Sequence, residues 1–398
     1  MTTLLGRRAL LAGTAGLAGS AGLAGYGLVA PAIAAEAARP AGVPETAPVG
    51  ALELARAVAA PTAPTGLVVA RDGRMFVFMP RLDAETAFSI GAVAADGSVT
   101  PWPDAAMNRP DPKRPQDTLF HIPNGVFDRQ DRLWVLDAGL LAAAAVPTPG
   151  AAKLLCFDGA TGALLRNIPL GPVTEPTSSL NDLRIDRDAK AVFISDQGQD
   201  GHGALIAVDL ASGRASRRLA RHSSTESVKG ILKVVEGQVL MKRNPDGVTS
   251  PVQGGANGIA LSPDGRRVYY GPLMGRQLYS VDAGTLLDPE ASDAAVAATV
   301  TDLGEKGMTG GLLCDDQDRL YLALQEFNGI GRRWPDGRIE VLATDPRLIW
   351  ADTFWITPDR WLYVSSSQVN RRKEFNGGID KVQPPYAMLR MRIDAGPA

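Results

Sequence analysis

The chain has 398 residues, of which 45% are hydrophobic and 21% charged, and its formal net charge is −2 at pH 7. This near balance argues against nucleic acid or an anionic membrane surface as a partner, because both attract proteins with an excess of lysine and arginine. The 43 glycines and 29 prolines favour a soluble fold that is rich in turns.

Residues 1–35 predict an export signal. Arg7 and Arg8 precede a long stretch of alanine, glycine and leucine, which ends in the small-x-small sequence of residues 32–34 that a signal peptidase needs. The arginine pair indicates the twin-arginine route, so we expect a periplasmic or secreted protein.

A transmembrane anchor is the alternative interpretation of this segment, although its glycines and Pro31 dilute the apolar run below that of a good membrane span. Residues 36–48 are rich in proline and alanine and predict a flexible linker. The folded domain is therefore expected to cover residues 49–394, with no membrane contact once the signal has been removed.

After the linker, one pattern occurs six times: a short apolar strand, an acidic or glycine-containing turn, and a second strand with an aromatic residue near its start. Each copy predicts a β-hairpin, because Asp/Gly turns supply the positive φ angles of a tight reversal. A copy occupies about 58 residues, and all-β repeats of this period are typical of propellers. The second-strand aromatics are Phe76, Trp134, Phe193, Tyr269, Tyr321 and Tyr363.

The sequence therefore predicts an all-β fold, a six-bladed β-propeller with four antiparallel strands in each blade. The two ends of the ring must pair to avoid exposed edges, so we expect a strand near residues 52–58 to pair with the last strand, residues 386–393. A pair of β-sandwiches is the alternative fold. The ring leaves no room for a further domain, and we expect a monomer.

Three stretches fall outside the repeat: residues 101–118, 138–152 and about 220–256. Long loops on a rigid scaffold often carry function, so we expect these loops to cover one face of the ring. Cys156 and Cys314 belong to the second and fifth blades, which are not neighbours in a ring of six. They are therefore predicted to be two buried free thiols and not a disulfide.

Six segments carry a family resemblance: FVFMPR (76–81), DRLWVLDAG (131–139), LLCFDGATGALLRNIPL (154–170), FISDQGQDGHGALIAVDL (193–210), GIALSPDGRRVYYGPLMGRQLYSVDAGTLL (258–287) and FNGIGRRW (327–334). In this order they resemble the yellow/major royal jelly protein family in its bacterial form. The resemblance implies a secreted six-bladed propeller with a central cavity open on one face. It also implies either tautomerase activity of the dopachrome type or non-catalytic binding of small amines.

In the amine-binding members of that family, the ligand contacts map by motif to Thr309 and to Asn328-Gly329-Ile330. Ile330 stands where those members carry an aromatic residue. This difference removes a stacking surface and argues against a high affinity for aromatic amines.

Phrases such as NDL and NGIALSPDG also resemble the related gluconolactonase/regucalcin propellers, which hold a divalent metal on the axis with one Glu, two Asn and one Asp. Asn181 and Asn257 match the two asparagines, but Thr65 and Gly310 stand where that family has its carboxylates. A hard dication needs charged oxygen ligands. We therefore expect no metal and no other cofactor, with a metal-dependent lactonase as an alternative.

Positions in the repeat locate a site without reference to any family, because residues just before the innermost strand of each blade face the propeller axis. Asn124 and Asn257 are each followed by glycine and are equally well explained as turn formers. Asp352 lies near Trp350 and Trp355, which would raise its pKa as a general acid or base requires. The six axial positions are Thr65, Asn124, Asn181, Asn257, Thr309 and Asp352.

Asp182 at the start of the third blade and His121 near the channel mouth are further candidate proton carriers, and His121 is expected to have only a modest pKa shift. A lone loop histidine is also commonly structural. Two hypotheses follow: an enzyme acting on a small cyclic or aromatic metabolite, or a non-catalytic binder of such a molecule. The predicted catalytic residues are Asp352, Asp182 and His121, and the predicted binding residues are Asn124, Asn181, Asn257, Thr309, Asn328 and Ile330.

Overall fold

The computed structural model describes residues 52–83, 86–143 and 145–398. Over these residues it contains six four-stranded antiparallel sheets and two short hairpins. The predicted export signal and linker lie outside the described residues and remain predictions. Within the described chain, no helix has the length and apolar character needed to cross a membrane.

The first half of the ring follows the predicted repeat, with the four strands of each blade in chain order. The first strand, β1 (Glu53–Val58), belongs to the last blade. Blade 1 consists of β2 (Gly66–Val69), β3 (Met75–Phe78), β4 (Ile90–Val93) and β5 (Val99–Pro101). Blade 2 consists of β6 (Gly125–Phe127), β7 (Arg132–Asp137), β8 (Lys153–Asp158) and β9 (Leu164–Pro169). Blade 3 consists of β10 (Leu180–Ile185), β11 (Ala191–Asp196), β12 (Ala204–Asp209) and β13 (Ala215–Arg218).

Between blades 3 and 4, the predicted long loop forms two small hairpins, β14 (Val234–Val235) with β15 (Gln238–Val239) and β16 (Met241–Arg243) with β17 (Thr249–Pro251). Blade 4 consists of β18 (Ala256–Leu261), β19 (Arg267–Pro272), β20 (Gln277–Asp282) and β21 (Thr301–Glu305). Two short helices, α1 (Ala283–Leu287) and α2 (Asp293–Ala297), precede its last strand.

Blade 5 consists of β22 (Thr309–Cys314), β23 (Leu320–Leu324), β24 (Gly329–Arg333) and β25 (Ile339–Thr344). Blade 6 consists of β26 (Ala351–Ile356), β27 (Trp361–Ser366), β28 (Tyr386–Arg392) and, as its outermost strand, β1. Single 3-10 turns lie at Gly171–Val173, Val369–Arg371 and Lys373–Phe375.

The six predicted hairpins are the two innermost strands of the six blades, so the predicted propeller is confirmed. The innermost strand of each blade contacts that of the next, and β26 contacts β2, which closes the ring. One hydrophobic cluster of described residues lies between each pair of neighbouring blades. The second-strand aromatics belong to these clusters, and burying such a side chain stabilises the fold by roughly 1.5–3 kcal/mol.

The predicted pairing of the two chain ends is also confirmed. Strand β1 is antiparallel to β28, with Glu53 opposite Arg390 and Val58 opposite Tyr386. Cys156 on β8 and Cys314 on β22 are buried and free, as predicted from their positions in non-adjacent blades.

Candidate functional site

Four innermost strands carry a β-bulge at the position predicted to face the axis. In the described β10, β18, β22 and β26, two residues oppose one residue of the partner strand, and the bulges fall at Asn181, Asn257, Gly310-Gly311 and Asp352-Thr353. A bulge bends the strand and redirects a side chain, and bulges are frequent next to active sites. Here they bring Asn181, Asn257 and Asp352 to the wall of one cavity.

Hydroxyl groups from the second strands hold two of these bulges in place. Ser195 Oγ accepts a hydrogen bond from the Asp182 amide at 3.2 Å and donates to the Asn257 carbonyl of the next blade at 2.5 Å. Ser365 Oγ accepts from the Thr353 amide and donates to the Thr65 carbonyl of blade 1, both at 3.0 Å. Both serines are fully buried, so each fixes the axial backbone of its own blade to that of its neighbour.

The cavity at the start of the innermost strands has a volume of about 160 Å³, and we call it the axial cavity. Its amides form a connected set, because Asn181 Nδ2 lies 3.4 Å from the Asn257 carbonyl and Asn257 Nδ2 donates to Gln197 Oε1 at 2.9 Å. The sequence did not predict Ser179, Gln197 and Gln325 on this wall, because none of them stands at the repeat position just before an innermost strand. The polar and aromatic residues of the wall are Thr65, His121, Ser179, Asn181, Gln197, Asn257, Gln325, Trp350 and Asp352.

Asp352 is the acidic residue of this wall. Burial raises the pKa of its carboxyl group to about 7, and the negative charge of Asp182 adds to the shift. The Ser367 hydroxyl, 3.3 Å from Oδ2, and the positive charge of Lys233 oppose it. The raised pKa agrees with the prediction, but only Trp350 of the two predicted neighbours lines the axial cavity. Trp355 lies toward the other end of the strand, where Nε1 donates to the Val69 carbonyl at 2.9 Å.

Lys233, in the insert between blades 3 and 4, is a second ionisable group that sequence reasoning missed. Its fully buried ammonium donates to Gln325 Oε1 at 2.7 Å and lies 5.2 Å from the centre of the Trp350 ring. Burial lowers the pKa of Lys233 to about 7, although the charges of Glu326 and Asp352 oppose this shift. No motif marks Lys233, because the insert lies outside the repeat.

Asp182 belongs to a structural network below the axial cavity. Its Oδ1 accepts from Arg184 Nη1 at 2.8 Å, from Asn124 Nδ2 at 2.5 Å and from the Leu183 amide at 2.8 Å. Burial raises the pKa of Asp182 and Arg184 opposes the shift. Arg184 Nη2 also donates to the Leu312 carbonyl of blade 5 at 2.5 Å, so the guanidinium reaches across the axis from blade 3. Neither Asp182 nor Asn124 is part of the axial wall.

His121 lies on the axial wall, as predicted, but its expected modest pKa shift is wrong. Burial lowers the pKa of His121 to about 4, so the imidazole is neutral at pH 7. Nδ1 lies 3.2 Å from the Arg81 carbonyl, which can only accept a hydrogen bond. Nδ1 therefore carries the proton and Nε2 is an acceptor. Sequence position could not reveal this shift, since it comes from burial against distant segments.

The three residues implied by the resemblance to amine binders lie outside the axial wall. Ile330 is fully buried in the hydrophobic cluster between blades 5 and 6. Asn328 lies in the turn between β23 and β24 with φ 49°. Thr309 is buried, and its Oγ1 has no hydrogen-bond partner within the described residues.

The family model described as Major royal jelly protein matches residues 126–395. The chain belongs to the major royal jelly protein family. Major royal jelly protein 3 of Apis mellifera is 30% identical over 172 residues, which are 41% of this chain and 28% of that protein. Major royal jelly protein 7 of the same organism is 28% identical over 179 residues, which are 43% of this chain and 37% of that protein. The matches thus span well under half the length of these relatives.

Solved propellers share the fold of this major royal jelly protein family member. Regucalcin of Agrobacterium tumefaciens, a calcium-binding protein, superimposes with a TM-score of 0.55 at 17% identity, covering 89% of this chain and 98% of that chain. A luciferin-regenerating enzyme superimposes with a TM-score of 0.51 at 12% identity, covering 87% of this chain and 97% of that chain. At these identities the likeness shows the fold alone.

The axial residues do not fit the divalent metal of regucalcin-type propellers. Asn181 and Asn257 are neutral, and Asp352 is accompanied by the positive charge of Lys233. The nearby Asp182 carboxylate is bonded to Arg184. A hard dication needs several charged oxygen ligands, and no group of three or more His, Cys, Asp or Glu among the described residues is placed to hold a metal.

Proposed function

We propose that this member of the major royal jelly protein family is an isomerase that moves a proton within a small cyclic or aromatic metabolite bound in the axial cavity. The observation that carries the proposal is Asp352, a carboxyl group on the cavity wall with a pKa of about 7. A group that titrates near neutral pH can both take up and give back a proton. The proton removed from one atom of the ligand returns to another, so the reaction needs no further reagent.

The surrounding residues have distinct roles in this proposal. Asp352 takes the proton from the ligand, and the Lys233 charge stabilises the carboxylate that is needed for this step. The amides of Asn181, Asn257 and Gln197 hydrogen-bond polar atoms of the ligand and hold it against Asp352. His121 presents Nε2 as an acceptor for a ligand N–H or O–H.

Binding of a small amine is the weaker alternative, because Lys233 already provides the cation that such a ligand would bring. A cationic amine is held by a carboxylate and by the face of an aromatic ring. The Lys233 ammonium lies over the Trp350 ring at 5.2 Å and interacts with Asp352. A second positive charge in the same buried space would be repelled, so the cavity favours a neutral polar ligand.

The proposal is tested by screening dopachrome, catechols, indoles and lactones for isomerisation and by measuring ligand affinity separately. Asp352→Asn should lower turnover by roughly 10²-fold or more while binding is nearly retained, because the variant keeps the shape but cannot exchange the proton. Asp359→Asn, an exposed carboxylate on the same blade, is the matched control and should leave turnover unchanged. Unchanged turnover in Asp352→Asn would contradict the proposal.

A pure binder gives a different result. In that case no compound is turned over, and Asp352→Asn changes affinity by about 1–2 kcal/mol, the scale of a hydrogen bond to a charged group. A ligand whose affinity is unaffected by substitution of Asn181, Asn257 and Asp352 would exclude the axial cavity as its site.

A further inference from the structure

A cavity of about 480 Å³, larger than the axial cavity, lies between two long connections of the propeller. One wall is the pair of hairpins β14–β15 and β16–β17, and the other is residues 370–383, which connect β27 to β28. We call this space the insert cavity, and among the described residues it shares no lining residue with the axial cavity. Its lining residues are Val235, Glu236, Gln238, Val239, Leu240, Met241, Arg243, Asn370, Arg371, Phe375, Asn376, Lys381 and Gln383.

An ion pair ties the two walls of the insert cavity together. Glu236 and Gly237 form the tip of the β14–β15 hairpin, and their φ angles of 49° and 74° suit a two-residue turn of type I′. The Glu236 carboxylate accepts from Arg371 Nη2 at 2.6 Å and from Arg371 Nε at 2.9 Å. Asn370 Nδ2 donates to the same carboxylate at 2.8 Å. Bidentate pairing of this kind fixes the relative position of its partners, so the cavity has a defined shape.

Apolar packing holds the same two walls. Val235 and Leu240 are buried, and Phe375 from the opposite wall packs against their hydrophobic cluster. The Gly377 amide also donates to the Arg243 carbonyl at 3.2 Å. The insert cavity is therefore bounded by two segments that are joined by an ion pair, a backbone hydrogen bond and a small apolar core.

The charged side chains of the lining leave an excess of positive charge. Glu236 is the one carboxylate among the lining residues, and Arg371 neutralises it. Hydrogen bonds from Arg371 also hold the pKa of Glu236 below its ordinary value, so this carboxylate stays ionised at pH 7. Arg243 donates to two backbone carbonyl groups of the insert at 3.3–3.4 Å. Within the described residues, neither Arg243 nor Lys381 has a carboxylate partner, which leaves two uncompensated cations.

The other acidic residues of the two walls do not line the insert cavity. Asp380 lines a different cavity, and Glu374 accepts from Arg372 Nε at 2.8 Å. Asp246 accepts from the Val248 amide at 3.0 Å in the turn of the β16–β17 hairpin. The two positive charges therefore remain available to a ligand, although the whole chain has a formal net charge of −2.

We propose that the insert cavity binds a small polyhydroxylated molecule that carries a phosphate monoester, independently of the proposed isomerase site. A phosphate monoester has a charge of about −1.5 to −2 at pH 7, which matches the charges of Arg243 and Lys381. The planar Arg243 guanidinium can pair with two phosphate oxygens, and the Lys381 ammonium adds a point charge. The amides of Gln238, Asn376 and Gln383 offer partners for hydroxyl groups. The volume also lies in the range of about 300–1,000 Å³ that is typical of ligand sites.

The test titrates glucose 6-phosphate, glucose and inorganic phosphate into the full chain and measures affinity by calorimetry. Glucose 6-phosphate should bind about tenfold or more tightly than glucose, because glucose has no group for the two cations. It should also bind more tightly than inorganic phosphate, which has no sugar hydroxyls, and its affinity should fall with added salt. Equal affinity for glucose and glucose 6-phosphate would overturn the proposal. Equal affinity for inorganic phosphate and glucose 6-phosphate would overturn it as well.

Matched variants assign the binding to the insert cavity. Arg243→Gln should weaken binding of glucose 6-phosphate about tenfold. Lys242→Gln removes the same charge from the preceding residue of β16, which does not line the cavity, and should leave affinity nearly unchanged. Equal losses in the two variants would indicate general surface attraction and overturn the proposal. Lys381→Gln gives a second test if Arg243→Gln fails to fold, and it should also weaken binding.

A further variant separates this site from the axial cavity. Asp352→Asn should leave the affinity for glucose 6-phosphate unchanged, because Asp352 lines the axial cavity and not the insert cavity. Binding that is lost in Asp352→Asn and retained in Arg243→Gln would place the probe in the axial cavity. That result would overturn the inference without contradicting the proposed isomerase, which is tested by turnover.

Discussion

Asp352 and Lys233 show how burial can bring an acid and a base to the same pKa. Burial raises the pKa of the carboxyl group and lowers that of the ammonium, and both reach about 7. Both groups therefore titrate near neutral pH. This similarity suits a residue that must exchange protons with a ligand.

The stability of the protein should depend on pH through Asp352. Its folded pKa of about 7 exceeds the ordinary 3.8, so between these values the folded state binds more protons than the unfolded state. The free energy of unfolding therefore falls as pH rises from about 4 to 7. Asp352→Asn should remove part of this fall, which is followed by the melting temperature at each pH. The melting temperature of the variant should exceed that of the unsubstituted protein by the largest margin near pH 8. Parallel pH curves for the two proteins would contradict the raised pKa.

Lys233 should also make the stability of the protein depend on pH. Above about pH 7 its effect is to raise the free energy of unfolding as pH increases. Its folded pKa of about 7 lies below the ordinary 10.5, so between these values the unfolded state binds more protons and stability rises with pH. Lys233→Met should reduce this rise in melting temperature. Lys306, whose pKa burial also lowers to about 7, accounts for a remaining rise. A rise of unchanged size in Lys233→Met would contradict the assignment.

Residue positions in the repeat predicted Asp352, Asn181 and Asn257 on the axis because every blade starts in the same way. They could not predict Lys233 or the pKa of His121. The location of Lys233 and the pKa of His121 both depend on which distant segments exclude water from these side chains. The insert that carries Lys233 is held in place by packing of Val235, Leu240 and Val252 against Met274 and Trp350.

Among the elements, the bulged strands show the limit of local patterns. The six hairpins were predictable because their turns and apolar runs are contiguous in sequence. The bulges were not predictable, since each is defined by register against a partner strand, and two of the four are held by a hydroxyl such as Ser365 Oγ. The axial geometry therefore depends on interactions between strands that no short motif records.

Ser365→Ala should destabilise the protein by about 1–3 kcal/mol, because it leaves the buried Thr353 amide and Thr65 carbonyl without this partner. Any turnover should also fall, since the Asp352-Thr353 bulge loses its support. Ser98→Ala, which removes an exposed hydroxyl that donates to Asp96, should change stability by less than about 0.5 kcal/mol. Denaturant unfolding of both variants makes the comparison, and equal stability losses would show that Ser365 has no special role.

At the scale of the whole molecule, the count of repeats predicted the ring and the need to close it predicted the pairing of β1 with β28. A cavity of about 120 Å³ at the other end of the innermost strands could not be predicted in this way. Its walls combine residues from the innermost strands of five blades, which are Phe127, Ile185, Leu261, Leu313 and Ile356.

Deletion of residues 384–398 should abolish soluble folding. It removes β28, which leaves β1 without a partner strand and gives β27 an open edge, and it takes Tyr386 and Met388 out of the cluster between blades 6 and 1. Solubility and thermal melting by circular dichroism report the effect, and adding the missing strand as a peptide should restore part of the fold. A truncated protein that melts like the full chain would contradict closure by the terminal strands.

Blade 6 takes strands from both ends of the chain, so a nascent polypeptide cannot complete the ring while the ribosome still holds Tyr386–Arg392. Blades 1 to 5 are each contiguous in sequence and can form in order of synthesis. Strand β1 emerges before them and must wait for its partner, and its Glu53 and Arg56 discourage pairing with other chains during that interval. The propeller can therefore close only after Tyr386–Arg392 has left the ribosome, whereas the five contiguous blades need no strand from so late in the chain.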